Sequence, residues 1–257
     1  MDSSQKVVVS VDDSNLFVNC SLSVFFYNGM SGIMKNKSIF IITTVFLCSI
    51  IMSFIDGIIQ PSYLIKSIFK ILLFLIIPMI CFTIYKDERN RIFQLFVPKK
   101  RSFVLSLLLG IVVYFIILGA YFLFRKIIDF TSIQESLSSG GINANNFIYV
   151  AVYISFVNSL LEEFFFRGYA FTILKDSFDK KFAYIFSSFL FAFYHVGMTM
   201  GWFHPIIYIL AMIGLIIGGC IFNYLNEIFE CIYSSWFVHM FANFAINTIG
   251  FILFSII

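Results

Sequence analysis

The stretch NSLLEEFFFRGYAF, Asn158–Phe171, sets two adjacent carboxylates, Glu162 and Glu163, and the cation Arg167 inside an otherwise apolar run. A carboxylate in such surroundings is costly unless it is paired, protonated or facing water. The run around it, 147–174, is long enough to cross a bilayer as a helix. Charge in the middle of a membrane segment marks a functional site before it marks packing.

The rest of the chain agrees with a membrane setting. Of 257 residues, 60% are hydrophobic and 12% charged, whereas soluble domains carry about a quarter charged residues. The mean hydropathy is +0.96, and 36 residues are phenylalanine, more apolar surface than a soluble core of this size can hide. Alternating barrel patterning is absent, so the spans read as helical. Apolar stretches fall near 39–60, 67–85, 103–124, 147–174, 182–199, 205–225 and 230–257. The last is long, with a candidate break at Asn247–Gly250 that would make an eighth segment. The fold class expected is therefore all-α, a polytopic membrane protein of seven to eight transmembrane helices.

Basic residues predict the orientation. Lys86, Arg89, Arg91, Lys99, Lys100 and Arg101 crowd the connection after the second span, and Lys35 and Lys37 precede the first. Both place the N-terminus in the cytoplasm, and counting crossings puts Lys175, Lys180 and Lys181 on the same side. A net charge of +3 spread over loops is too small to indicate nucleic acid. The lipid bilayer is the partner the composition requires. The five cysteines lie in or beside apolar runs with no CxxC pair, which reads as packing.

Three later polar residues extend the chemistry. Glu162 and His195 lie equally far from the turn near Asp176–Lys181, on helices that must run antiparallel. His239 is about ten residues into the last helix, roughly 15 Å deep. Glu162, His195 and His239 thus converge on one layer, and Asn243 shares a face with His239 at i+4. Glu163 and Arg167 are also i and i+4, an intrahelical ion pair, whereas Glu162 has only Asn158 one turn earlier as a local partner. His204, beside Trp202 and Pro205, reads as an interfacial residue. Ser234 and Ser235 lack a base, and Gly218–Gly219 reads as close helix packing.

These residue types suit water activation. A desolvated Glu162 is a candidate general base. His195 and His239 are candidate ligands of a zinc ion, or orient water, and Asn243 donates to an oxyanion or to the histidines. The alternatives stay open here: if Glu162 ligates zinc it is not a free base, and Glu163 can replace it only by leaving Arg167.

Three motifs, EEFFFR at Glu162–Arg167, FAFYH at Phe191–His195 and HMFAN at His239–Asn243, resemble the EExxxR, FxxxH and HxxxN motifs of the CPBP family of intramembrane proteases, which includes the type II CAAX prenyl proteases and the Abi-type, bacteriocin-linked proteins. The resemblance implies a catalytic core over 147–257, preceded by transmembrane helices over 34–146. It implies an endopeptidase in which Glu162 activates water. His195, His239 and Asn243 would complete the site, Glu163 and Arg167 would support it, and zinc would be a candidate cofactor. The implied substrate is a membrane-associated peptide or protein. The composition favours a bacterial plasma-membrane protein, hence a peptide precursor over a prenylated substrate. The alternative is a bacteriocin self-immunity or scaffold protein that acts by binding.

Residues 1–33 read as a dispensable extension. Met34-Lys-Asn-Lys resembles a signal-anchor start, so Met34 or Met30 is the expected functional start. N-terminal sequencing of natively expressed protein tests this; an intact end at Met1 or Asp2 would refute it.

Overall fold

A computed structural model of the chain describes residues 36–257, so the expected start at Met30 or Met34 and the extension 1–33 lie outside the described residues. By its internal contacts the chain divides into 1–40 and 41–257. Of the first part, the described residues 36–40 are helical.

Nine helices and no strand occur among the described residues. Seven are long and apolar enough to cross a membrane: α1 Asn36–Ile59, α2 Tyr63–Ile84, α4 Lys100–Phe124, α6 Phe147–Ser177, α7 Lys180–Thr199, α8 Pro205–Phe229 and α9 Ile232–Leu253. Two short helices, α3 Lys86–Gln94 and α5 Thr131–Ser139, occupy connections expected to be loops. Asp87 and Glu88 open α3 and Arg91 closes it, the charge order the helix dipole favours. Its buried Ile92 docks it on the bundle. In α5, Asp129 Oδ1 accepts the Thr131 N–H at 2.9 Å and the Thr131 hydroxyl at 2.7 Å, fixing the first turn. Those bonds hold the exposed Asp129 carboxyl below its ordinary range.

The eighth segment does not form. Asn247, read as a helix breaker, keeps α9 continuous because its Nδ2 donates outward, to the Ala151 carbonyl at 3.1 Å and to Ser155 Oγ at 3.0 Å on α6. Gly250 lies directly against the Phe147 ring.

Ion pairs and hydrogen bonds fix which connections share a side. Arg91 pairs with Asp176, and Lys99 reaches Glu230 at 3.2 Å, so 86–101, 175–181 and the 229–232 turn lie at one end. At the other end, Trp202 Nε1 donates to Ser136 Oγ at 3.1 Å, and the Tyr63 N–H to the Gly140 carbonyl at 3.3 Å. The up-and-down order expected from the basic residues is therefore the order seen.

The core is aromatic. On α1, Ile41, Val45, Cys48, Met52 and Ile55 recur every three or four residues as one buried stripe. On α2, Phe74 stacks on Phe165 of α6 at 4.3 Å and meets Phe166 and Tyr194 edge-on. The least enclosed helices, α4 and α8, carry long exposed apolar faces suited to lipid.

Helix α6 is not a regular α-helix. Tyr153–Asn158 and Glu163–Phe171 are wound as π-helix, with i to i−5 hydrogen bonds. Wide turns set some carbonyls off the usual ladder, and buried carbonyls need donors. Neighbours supply them: Ser187 Oγ of α7 to Phe166 O at 2.8 Å, Asn243 Nδ2 of α9 to Ile154 O at 3.2 Å, and Thr172 Oγ1 to Arg167 O at 2.8 Å.

Helix α1 approaches α7 through two glycines. A Cβ on Gly57 would lie 2.9 Å from Gly197 Cα, and one on Gly197 would strike the Ser53 carbonyl. Gly197→Ala should therefore cost about 1–3 kcal/mol by overpacking. Gly218→Ala, whose Cβ meets nothing within 4 Å, should be neutral or slightly stabilising. Thermal unfolding of the two variants in detergent checks the contrast.

Candidate active site

Four helices bring their charges to one buried cluster. Glu162 and Glu163 come from the α6 junction between α and π winding, Arg167 from the π turn itself, His239 from α9, His195 from α7 and Lys70 from α2.

Glu162 is 1% exposed. Its Oε1 accepts from Asn158 Nδ2 at 2.6 Å and from Lys70 Nζ at 3.3 Å. Its Oε2 has no protein donor and lies 3.6 Å from His239 Nε2. Glu163 is fully buried; its Oε1 accepts from His239 Nδ1 at 2.9 Å and lies 3.5 Å from Arg167 Nη1. A carboxylate accepts, so Nδ1 carries the hydrogen of that bond, and Nε2 faces Glu162 Oε2. The two glutamates thus hold one imidazole between them.

Arg167 is enclosed by rings. Its Cζ lies 4.2 Å from the centroid of Phe191, 4.9 Å from Phe222 and 6.0 Å from Phe166. Cation–π attraction and the Glu163 carboxylate offset its burial. Phe222 also stacks on His239 at 5.1 Å, so one ring sets both the cation and the imidazole.

His195 is oriented by its own helix. Its Nδ1 donates to Phe191 O at 2.7 Å, and the Tyr194 hydroxyl donates to its Nε2 at 3.1 Å. Tyr194, whose ring centroid also lies 5.1 Å from Lys70 Nζ, links His195 to the cluster.

Asn243 donates to the Ile154 carbonyl of the α6 π turn, so of the two roles expected for it the bond to the histidines is not formed. The hydrogen bond expected between Glu162 and Asn158 is present, and so is the Glu163–Arg167 pair. Glu163 also binds His239, a bond not visible in sequence spacing. His204 is exposed, outside the cluster. The hydroxyls of Ser234 and Ser235 donate to Cys231 O and Ile232 O at the start of α9.

Lys70 is a member that the sequence motifs do not single out. It lies in the first turns of the apolar run 67–85, where a lysine passes for an interfacial anchor. Helix α2 begins at Tyr63, so Lys70 is two turns inside and 8% exposed. A lysine within a span was the available signal.

The residues present do not fit the zinc expected at His195 and His239. Among the described residues, no three His, Cys, Asp or Glu side chains gather in ligand geometry. His195 Nε2 already accepts from Tyr194, and an ammonium stands at Glu162 Oε1.

Fold and cluster together define a polytopic membrane protein with a buried Glu–Glu–His–Arg site. Residues 144–245 match the family model described as Type II CAAX prenyl endopeptidase Rce1-like, and that stretch is a domain of this family. It contains all three motifs, and Lys70 lies outside it. No curated protein and no solved structure matches the chain.

Arg167→Leu should leave Glu163 buried without its cation and cost about 3–5 kcal/mol. Adding Glu163→Gln should recover part of that loss. Thermal unfolding of the single and double variants measures the difference.

Proposed function

We propose that the chain is an intramembrane endopeptidase that hydrolyses a peptide bond of a membrane-associated peptide or protein, with Glu162 as general base. The observation that carries this reading is the His239 ring held between two glutamates, with Nδ1 on Glu163 and Nε2 facing the undonated Oε2 of Glu162.

The chemistry follows from those atoms. Glu162 Oε1 is occupied by Asn158 and Lys70, so Oε2 is the oxygen that takes a proton from water. His239 Nε2 accepts the second water hydrogen and aims the oxygen at the scissile carbonyl. Asn243 keeps one amide hydrogen on Ile154 O and has a second to offer the oxyanion. Glu162 then returns its proton to the departing amine, the C–N bond breaks and the acid product leaves. Glu163 also has an undonated oxygen, but its other oxygen is tied to both Arg167 and His239. Its role is to fix the tautomer and angle of His239.

The chain's N-terminus faces the cytoplasm in this reading, in a bacterial plasma membrane. The family description supplies one substrate class, the prenylated C-terminal peptide. The composition points to the other, an unprenylated peptide precursor.

Purified protein in detergent is to be assayed with a quenched-fluorescence peptide carrying a prenylated cysteine and with its unprenylated counterpart. Glu162→Gln should lower kcat by about 10²–10⁴-fold with the unfolding temperature preserved. Glu163→Gln should lower both. Full activity in Glu162→Gln would overturn the assignment. A cellular phenotype that persists in Glu162→Ala and His239→Ala at normal protein levels would favour the immunity or scaffold role instead.

A further inference from the structure

The site has one member that the matched domain does not contain. Lys70 rises from α2, and its ammonium reaches Glu162 Oε1 at 3.3 Å across 92 residues of sequence. Without it, the cluster holds two carboxylates against one guanidinium in an apolar layer. With it, Glu162 and Glu163 each have a cation of their own: Lys70 for the first, Arg167 for the second.

Three further observations make Glu162 the direct partner of the ammonium, although Asp56 also lies within its electrostatic reach. The nearest rival carboxylate, Asp56 on α1, is 5% exposed and is paired with Lys66 at 3.7 Å, one turn before Lys70 on the same helix. The ammonium also lies 5.1 Å from the centroid of Tyr194, whose hydroxyl is engaged with His195. Finally, a lysine two turns inside a span has a stem long enough to snorkel to the interface. This one points inward and is 8% exposed.

We propose that Lys70 is a positioning residue of the active site: with Asn158 it fixes Glu162 Oε1, turns Oε2 toward His239, and makes the catalytic carboxylate depend on a helix outside the 144–245 domain. Two donors on one oxygen leave the carboxylate a single orientation. The second donor, Asn158, is neutral and on the same helix, so Lys70 alone supplies the charge and the tie between α2 and α6 at this depth. Lys70 acts through Glu162 and need not touch the substrate.

The assignment of a kinetic role rests on the endopeptidase reading, and the test separates the two. Full-length wild type, Lys70→Met and Lys70→Arg are assayed on the prenylated and unprenylated probe peptides. Lys70→Met should lower kcat about 100-fold with KM changed less than about threefold, and Lys70→Arg should retain at least about a tenth of wild-type kcat. Lys70→Met within about twofold of wild type overturns the proposal.

A stability cycle needs no turnover. Lys70→Met should lower the unfolding temperature by about 5–10 °C, because it strands Glu162 as a buried anion. In a Glu162→Gln background the same substitution should lower it by less than half as much. Additive losses mean that Lys70 does not act through Glu162, and the proposal falls. If wild type hydrolyses neither probe, the endopeptidase reading falls on that result, and the cycle alone decides whether Lys70 holds Glu162.

Discussion

Two neighbouring carboxylates in a membrane helix are not neutralised by one cation, and much of the structure answers that constraint. Successive residues on a helix point about 100° apart, so Glu162 and Glu163 look toward different neighbours. Glu163 looks toward Arg167 and α9. Glu162 looks toward Asn158 and α2. The imidazole of His239 fits where the two directions meet, with one nitrogen for each glutamate. Each cation is then held in turn: Arg167 by the Phe191 and Phe222 faces, Lys70 over Tyr194. The aromatic core around α6 is thus both the hydrophobic packing of the bundle and the housing of its charges.

The winding of α6 belongs to the same solution. A regular α-helix satisfies its own carbonyls and gives neighbouring helices little to bind. The π turns on either side of Ser159–Glu162 present carbonyls to α7 and α9 through Ser187 and Asn243. Asn247 adds a contact at Ala151, in the α-helical turn before the first π segment. Polar side chains that would be costly in lipid become the pins that set the depth of α7 and α9 against α6. Asn243 therefore registers α9 against α6 with one hydrogen of its amide group.

How far the sequence revealed this depends on the range of each interaction. Spans, connection sides and the Glu163–Arg167 pair were legible, because length, charge bias and i, i+4 spacing are local properties. The convergence of Glu162 and His239 was legible from depth alone. The partner of Asn243 was not, since it depends on π turns that leave no simple pattern in the residues. The continuity of α9 through Asn247 was hidden for the same reason: a polar residue reads as a break until the carbonyl that receives it is known. Lys70 is not legible because the apolar run starts at 67, four residues after α2 itself does, and that shift moves a lysine from the interface to the interior.

The reach of Lys70 also bears on how the bundle is divided. The matched domain begins at residue 144, and by sequence the preceding helices look like membrane anchors. Helix α2 is more than that. It places Phe74 in the stack with Phe165, Phe166 and Tyr194, one turn beyond the ammonium at Glu162. That apolar stack and the ion pair report on the same face, so a shift of α2 that breaks one strains the other. The early helices are therefore part of the buried cluster, and a fragment limited to the matched domain would carry Glu162 without the Lys70 ammonium beside it.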